Sequence, residues 1–296
     1  MTSCVVVGMG IQGVKRHAVM GTHQSITVDP VAEGVDFRNL VDVPLAAYEA
    51  VLLCVPDDAK AELIDFAVSH GKHVLVEKPF NLTPQQYTDL TSRAREAGVT
   101  VYVAYNHRFE PHIATAKHVL DSGKIGEIYT VSLSYGNGTA ALVRASPWRD
   151  TGLGVIADLG SHLLDMVDFW WGLSGREVDY VDARTVENRA YDHATMRLSG
   201  SPAAYLETTM LSWRNDFRCE VRGSEGSLHI SSLCKWGPTS LTVRDRVRPS
   251  GRPSERTHTL VQADPTWAAE FAHFLALISA GNPGNLETSY EIAQIL

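Results

Sequence analysis

The stretch GVIADLGSHLLD, residues 154–165, carries three side chains able to move or hold a proton. Asp158, His162 and Asp165 stand four and three positions apart, which places them on one face of an α-helix. Histidine ionises near neutrality and can take a proton from a hydroxyl or return it. A carboxylate one turn back can fix the ring's tautomer and stabilise its charged form. The same pattern also describes a half-buried histidine held by its own helix and packed by Leu159, Leu163, Leu164 and Val167. A second stretch, VEKPF at 76–80, ends an apolar run with an acid, a base and a proline. Lys78 there could stabilise a developing alkoxide, with Glu77 as its positioner. The competing reading is a surface ion pair, but such pairs contribute only about 0–1 kcal/mol and give no reason for Pro79.

Hydride transfer would give both groups a task, and the N-terminus offers a place for the hydride carrier. In GMGIQG, Gly8, Gly10 and Gly13 follow the apolar run CVVV and open a helical stretch. Gly8 would make the tight turn, Gly10 would let a pyrophosphate approach the backbone, and Gly13 would let helix and strand pack closely. Met9, Ile11 and Gln12 complete the turn, whose backbone would line a phosphate site at the helix N-terminus. Asp29 ends the next apolar run about twenty residues on, where an acid accepts hydrogen bonds from an adenine-ribose diol and repels a 2′-phosphate. The expectation is NAD rather than NADP. Lys15 and Arg16 are the cations that could meet a 2′-phosphate, the alternative being that they are solvated on the helix face.

These groups need a sheet beneath them. CVVVG (4–8), SITVD (25–29), AVLLCVP (50–56), HVLVEKP (73–79) and VTVYVAYN (99–106) are short apolar runs, as expected of parallel strands buried on both faces. Between them, TPQQYTDLTSRAREAG reads as a helix with Thr83 as N-cap, Pro84 at its first position and Gly98 past its end. Asp57 or Asp58 would cap the helix that Gly71 stops. Strands alternating with helices predict an α/β, doubly wound Rossmann domain, trimmed between 14 and 49.

After residue 121 the alternation stops. IGEIYTVSLSYGNG (125–138) and several later runs, with FRCEVRG alternating residue by residue, predict an α+β domain with a large open, mostly antiparallel sheet. YGNGTAALVRASPWRD (135–150) reads as a long polar loop at the cleft, whose Arg144 and Arg149 either meet an anionic group or stay solvated. RVRPSGRPSERTHT reads as an exposed loop or hairpin tip, and WAAEFAHFLALISAG (267–281) as a helix that covers a sheet or returns to the first domain. The predicted division is 1–121 and 122–296, and the final YEIAQIL falls inside a helical pattern.

Composition narrows the classes. A length of 296 residues suits two domains, and 44% hydrophobic with 20% charged residues is ordinary for a soluble globular chain. A net charge of −8 argues against nucleic acid as partner. Cys4, Cys54, Cys219 and Cys234 form no CxxC pair and no metal-ligand spacing, so reduced thiols and no metal are expected. No apolar run is long enough for a membrane span, and MTSCVVVGMG turns to glycine before a signal sequence could form, which predicts a cytoplasmic protein.

GMGIQG, EKP and DLGSHLLD, in this order, resemble the glucose–fructose oxidoreductase / inositol dehydrogenase / rhizopine-catabolism (Gfo/Idh/MocA) family, and the resemblance covers essentially the whole chain. It implies a Rossmann domain followed by a domain whose open sheet commonly forms a dimer interface, hence a homo-oligomer, dimer or tetramer. It implies that Lys78 is the lysine of EKP and that Asp158 and His162 are the carboxylate and the acid/base histidine, all three touching substrate. It places Asn106 of YNHRF near the nicotinamide and Arg108 toward the cleft, and SPWRD suggests Trp148 and Arg149 as a pair near cofactor and substrate. Val55, Pro56 and Glu77 complete the cofactor-binding set. The implied activity is NAD-dependent oxidation of a secondary alcohol of a sugar, cyclitol or nucleotide-linked sugar, or the reverse. Two alternatives are a lyase or glycosidase that recycles its NAD, and a non-catalytic dinucleotide sensor. A sensor has no need to keep Lys78, Asp158 and His162 together.

Overall fold

The computed structural model describes residues 2–296. They form two compact units, 2–106 with 265–293, and 107–264 with 294–296. The first unit holds a five-stranded parallel sheet of β1 (Cys4–Val7), β2 (Ser25–Val28), β3 (Ala50–Leu53), β4 (His73–Glu77) and β5 (Val101–Ala104), in the order β2-β1-β3-β4-β5. β1 has β2 on one side and β3 on the other, both in parallel register. The sheet therefore reverses its strand order at β1, where a doubly wound fold opens a crevice at the strands' carboxyl ends. Every residue of β1, β3 and β5 is buried, as apolar runs without alternation require.

α1 (Ile11–Val19) follows β1, α2 (Asp57–Ser69) follows β3, and α3 (Pro84–Ala97) follows β4. Thr83 and Gln86 form a full capping box on α3, and Gly98 ends it in the left-handed conformation. α2 departs from expectation: Pro56 holds the N-cap position, and both Asp57 and Asp58 stand in the first turn. In place of a crossover helix, residues 30–49 contain two 3₁₀ turns, Leu40–Asp42 and Leu45–Ala47, and a single bridge from Phe37 to Val28. A late helix, Thr266–Ser279, returns to this unit, where its Phe271 and Phe274 pack with Cys4, Val6, Leu52, Leu75 and Tyr102. Burying such a side chain contributes roughly 1.5–3 kcal/mol.

The second unit is an eight-stranded sheet ordered β13-β12-β11-β10-β6-β9-β8-β7, antiparallel except for β6 against β9. Its strands are β6 (Ile128–Gly136), β7 (Val178–Arg184), β8 (His193–Leu198), β9 (Ala204–Thr209), β10 (Asp216–Gly223), β11 (Gly226–Ser231), β12 (Thr239–Asp245) and β13 (Ser254–Leu260). α4 (Pro111–Asp121) and α6 (Ser161–Trp171) pack on it, and α5 is the short Ala140–Arg144. Relative to a division at 121/122, α4 stands with this unit, and Trp170 of α6 donates to the Ile113 carbonyl. One sheet face buries Val131, Leu133, Phe217, Cys219 and Val221, while the other carries Ser132, Arg218, Glu220 and Arg222. Two expectations change. RVRPSGRP is the tip of a hairpin, one of the two expected readings, but SERTHT is not loop: it belongs to the second arm, the edge strand β13, paired with β12 over its whole length. The segment 135–150 is not all loop, since β6 reaches Gly136 and α5 lies within it. All four cysteines are free.

Candidate active site

In the first unit, β1 delivers the chain to Gly8, whose φ is +89°. A Cβ there would lie 2.5 Å from the Cys54 carbonyl oxygen, and one at Gly13 would lie 1.8 Å from the Gly8 oxygen. Both positions exclude a side chain, because strand, turn and helix meet backbone to backbone. Gly10 differs: nothing lies within 4 Å of where its Cβ would stand. It is the N-cap of α1, and no side chain caps that helix end. The N–H donors of the first turn sit at the positive end of the helix, and the side chains of Ile11 and Gln12 are exposed.

Asp29, just past β2, accepts from the Met9 N–H at 2.7 Å through Oδ2 and from Val31 and Ala32 N–H at 2.8 Å through Oδ1. Burial pushes its carboxyl up, but the N–H groups of Ala32, Met9 and Val31 outweigh this and hold it below the usual carboxylate value. It is an ionised acceptor with capacity left on Oδ2. Val55 and Pro56 follow β3, with Val55 Cγ1 3.1 Å from the Cβ that Gly8 lacks. An uncapped helix end, an open Gly10 and an ionised Asp29 fit the pyrophosphate and ribose of a dinucleotide.

The two suspected cations separate. Lys15 is exposed, with Nζ 5.0 Å from the Trp267 ring centre. Arg16 is neither solvated nor presented to a phosphate: it is 1% exposed and donates to Glu77 at 2.7 Å and to Glu270 at 2.6 Å. Arg38, which sequence reasoning passed over, is exposed beside Asp29 and donates to the Ala32 carbonyl at 2.5 Å.

Glu77 is the last residue of β4, and the Lys78–Pro79 peptide that follows is cis. Lys78 is half-buried in this turn. Lys60, also unforeseen, reaches from α2 to donate to the Pro79 carbonyl oxygen and to Asp57 Oδ1 at 2.8 Å. Asn106, past the end of β5, donates through Nδ2 to Thr266 Oγ1 at 2.8 Å.

In the second unit, Asp158 and His162 do not share a regular α-helical face. Ile156–Gly160 is a π-helical turn, and α6 starts at Ser161, so Asp158 stands on the wide turn and His162 on the helix. A π-turn inside a helix is a common mark of a functional site. His162 is 5% exposed, and its ring centre lies 3.9 Å from that of His107. Lys235 donates to Tyr135 Oη at 3.0 Å, and its Nζ lies 3.0 Å from His107 Nε2. Burial pushes the Tyr135 phenol up, with the carboxylates of Asp158 and Asp264 adding to it, so Tyr135 stays protonated. His107 lies inside YNHRF, Tyr135 opens the 135–150 stretch and Lys235 follows Cys234, but the sequence reading gave none of the three a role at the site.

Asp165, expected on the His162 face, is fully buried and taken by Arg108, which donates to it through Nε at 3.1 Å and through Nη2. Arg108 Nη2 also lies 3.4 Å from Asp168 Oδ2. Burial pushes the Asp165 carboxyl up to about 6 against the pull of Arg108. The structure thus commits Arg108 to the carboxylates of α6, a use the sequence reading did not assign. Arg149 Nη2 is 3.9 Å from Asp158 Oδ2, while Trp148 beside it is exposed.

Comparison with known proteins decides the family. Residues 27–105 match the profile of the oxidoreductase family with an NAD-binding Rossmann fold, and residues 113–229 match the GFO/IDH/MocA C-terminal domain. The chain belongs to the Gfo/Idh/MocA oxidoreductase family. Among relatives, inositol 2-dehydrogenase of Rhizobium meliloti is 25% identical over 259 residues, 84% of this chain and 76% of that protein. The scyllo-inositol 2-dehydrogenase (NADP(+)) of Bacillus subtilis is 27% identical over 232 residues, 77% of this chain but only 60% of that protein. Levoglucosan dehydrogenase in complex with NADH and levoglucosan shares the fold of this Gfo/Idh/MocA chain, with a TM-score of 0.82, 19% identity, and coverage of 99% of this chain and 95% of that one. Among the described residues no helix is long and apolar enough to cross a membrane.

Proposed function

We propose that this chain transfers a hydride between NAD and a secondary alcohol, or the matching ketone, of a sugar, cyclitol or nucleotide-linked sugar. The observation that carries the reading is the first turn, where Gly10 opens on empty space at an uncapped helix end near Asp29. An ionised Asp29 accepts from a ribose diol and repels a 2′-phosphate, which favours NAD. When bound, NAD supplies the hydride acceptor. In oxidation His162 takes the hydroxyl proton, and the Lys78 ammonium stabilises the alkoxide as it forms. Asp158 stabilises the charged imidazole. Tyr135, held protonated, and Lys235 offer donors to further substrate oxygens, and Arg149 suits an anionic substituent. Reduction runs the same roles backwards. The protein acts in the cytoplasm and assembles through the open face of its large sheet.

The relatives act, by name, on inositols, and a structural neighbour holds levoglucosan, so cyclitols and anhydrosugars are the first compounds to try. The test is a fluorescence titration with NADH and NADPH, then NAD reduction with inositol isomers and levoglucosan. The expected result is tighter NADH binding and NADH formation with one of these compounds. Tighter NADPH binding overturns the role of Asp29 and points to Arg38 or Lys15. Binding of neither dinucleotide overturns the whole reading, and product formed without net NADH moves it to the NAD-recycling lyase chemistry.

A further inference from the structure

We propose that Lys60 is a positioning residue for Lys78, an inference that rests on the reading of Lys78 as the group beside the reacting oxygen. The Lys60 side chain is 3% exposed, and burying an ammonium costs several kcal/mol of hydration. It recovers this through Asp57 Oδ1 at 2.8 Å and through the carbonyl oxygen of Pro79, the residue bonded directly to Lys78. Asp57 uses its other oxygen to accept from Asn81 Nδ2 at 2.8 Å. The remaining neighbours of Lys78 are fixed as well: Glu77 by Arg16 at 2.7 Å, and the Phe80 carbonyl by the Tyr87 hydroxyl at 2.7 Å. Residues 77, 79, 80 and 81 are thus each tied to a different side chain, two of them through the Lys60–Asp57 pair at the start of α2.

A flexible lysine stem delivers its ammonium to one place only when its backbone is held, and a working site tolerates about 0.5 Å of error. Lys60 supplies that hold from the helix that begins directly after Val55 and Pro56. A stabilising surface pair would need neither the burial nor the bond to Pro79.

The test is the rate at which acetic anhydride acetylates Lys78 in the cofactor-free protein, followed by peptide mass spectrometry. The proteins compared are wild type, Lys60→Met and Asp57→Asn. Lys72, which donates to the Leu45 and Tyr48 carbonyls just before β4, is the internal control. Lys60→Met should change the Lys78 rate by at least about threefold and leave the Lys72 rate alone, as local loosening requires. Asp57→Asn, at a side chain 37% exposed, should move it the same way more weakly, and carries the test if Lys60→Met does not fold. In NAD reduction, Lys60→Met should lower kcat with NADH affinity intact, and should add nothing in a Lys78→Ala background. An unchanged Lys78 rate, a parallel change at Lys72, or additive kinetic effects would each overturn the proposal. If Lys78→Ala itself leaves turnover unchanged, the proposed function fails, while the labelling rates still judge the turn.

Discussion

Arg16→Met removes the cation that two carboxylates share inside the first unit. Glu77 is 8% exposed and Glu270 fully buried, and the guanidinium meets them at 2.7 and 2.6 Å. Breaking a buried pair by removing one partner costs about 3–5 kcal/mol, because the other charge is left without compensation. Here two carboxylates lose the cation they share, so the loss falls toward the upper end, eased when one of them takes up a proton. Against a total of roughly 5–15 kcal/mol for a domain, the variant is close to its stability limit. The assay is urea unfolding of the cofactor-free protein followed by circular dichroism. The deficit should shrink as pH falls from 7 toward 5, since a carboxyl whose folded pKa is raised stabilises the fold on protonation. Arg93→Ala is the contrast: Arg93 and Asp65 are 2.5 Å apart with side chains 44% and 56% exposed, and such pairs are worth about 0–1 kcal/mol. Adding Glu77→Gln and Glu270→Gln to Arg16→Met should restore a large part of the loss. Equal losses at Arg16 and Arg93, or a loss below about 1 kcal/mol at Arg16, would refute the reasoning.

His162→Ala should lower turnover by about 10²–10⁴-fold with NADH affinity intact, measured by steady-state kinetics and titration, and unchanged turnover removes His162 from the mechanism. Gly10→Ala should leave the melting temperature unchanged and weaken NADH binding, because its Cβ would meet no protein atom within 4 Å and would enter the space where the proposed function puts the pyrophosphate. Gly13→Ala should lower the melting temperature as well, since its Cβ strikes the Gly8 carbonyl; equal behaviour of the two variants contradicts the turn's assignment. His112 is fully buried, and burial holds its pKa below 6.5. As pH falls below 6.5 the unfolded chain takes up a proton that His112 refuses, so stability drops, by at most about 1.4 kcal/mol per pH unit for one such group. His112→Gln should flatten that slope in urea midpoints measured from pH 7 to 5, and an unchanged slope would show that the proton is taken up elsewhere.

What was legible followed from how each feature is encoded. Strands buried on both faces leave continuous apolar runs, so β1, β3, β4 and β5 could be read directly. The α3 cap box and the glycine turn are local, written in adjacent residues, and could be read too. β13 was missed because SERTHTL has polar residues on both faces, and only its pairing with β12 makes it a strand. Arg16 was misjudged because its partners lie 61 and 254 positions away, a distance that no helical periodicity reveals. The π-turn at 156–160 puts Asp158 out of α-helical register with His162, while Asp165, on the same regular helix as His162, is claimed by Arg108 from another segment. His107, Tyr135 and Lys235 converge from three separate elements, and convergence of that kind has no sequence signature.

The misread strand also protects the chain from polymerising. A sheet of eight strands ends in two rows of unpaired backbone groups, and such rows recruit further strands from other chains. On one side β13 lines its edge with Glu255, Arg256 and His258, every residue from Ser254 to Thr259 being exposed. On the other, β7 carries Asp179, Asp182 and Arg184 and breaks its pairing register between Tyr180 and Asp182. A second copy arriving edge to edge meets charge and an irregular ladder at both ends, so the polarity that hid β13 from view also keeps the sheet from growing into a fibre.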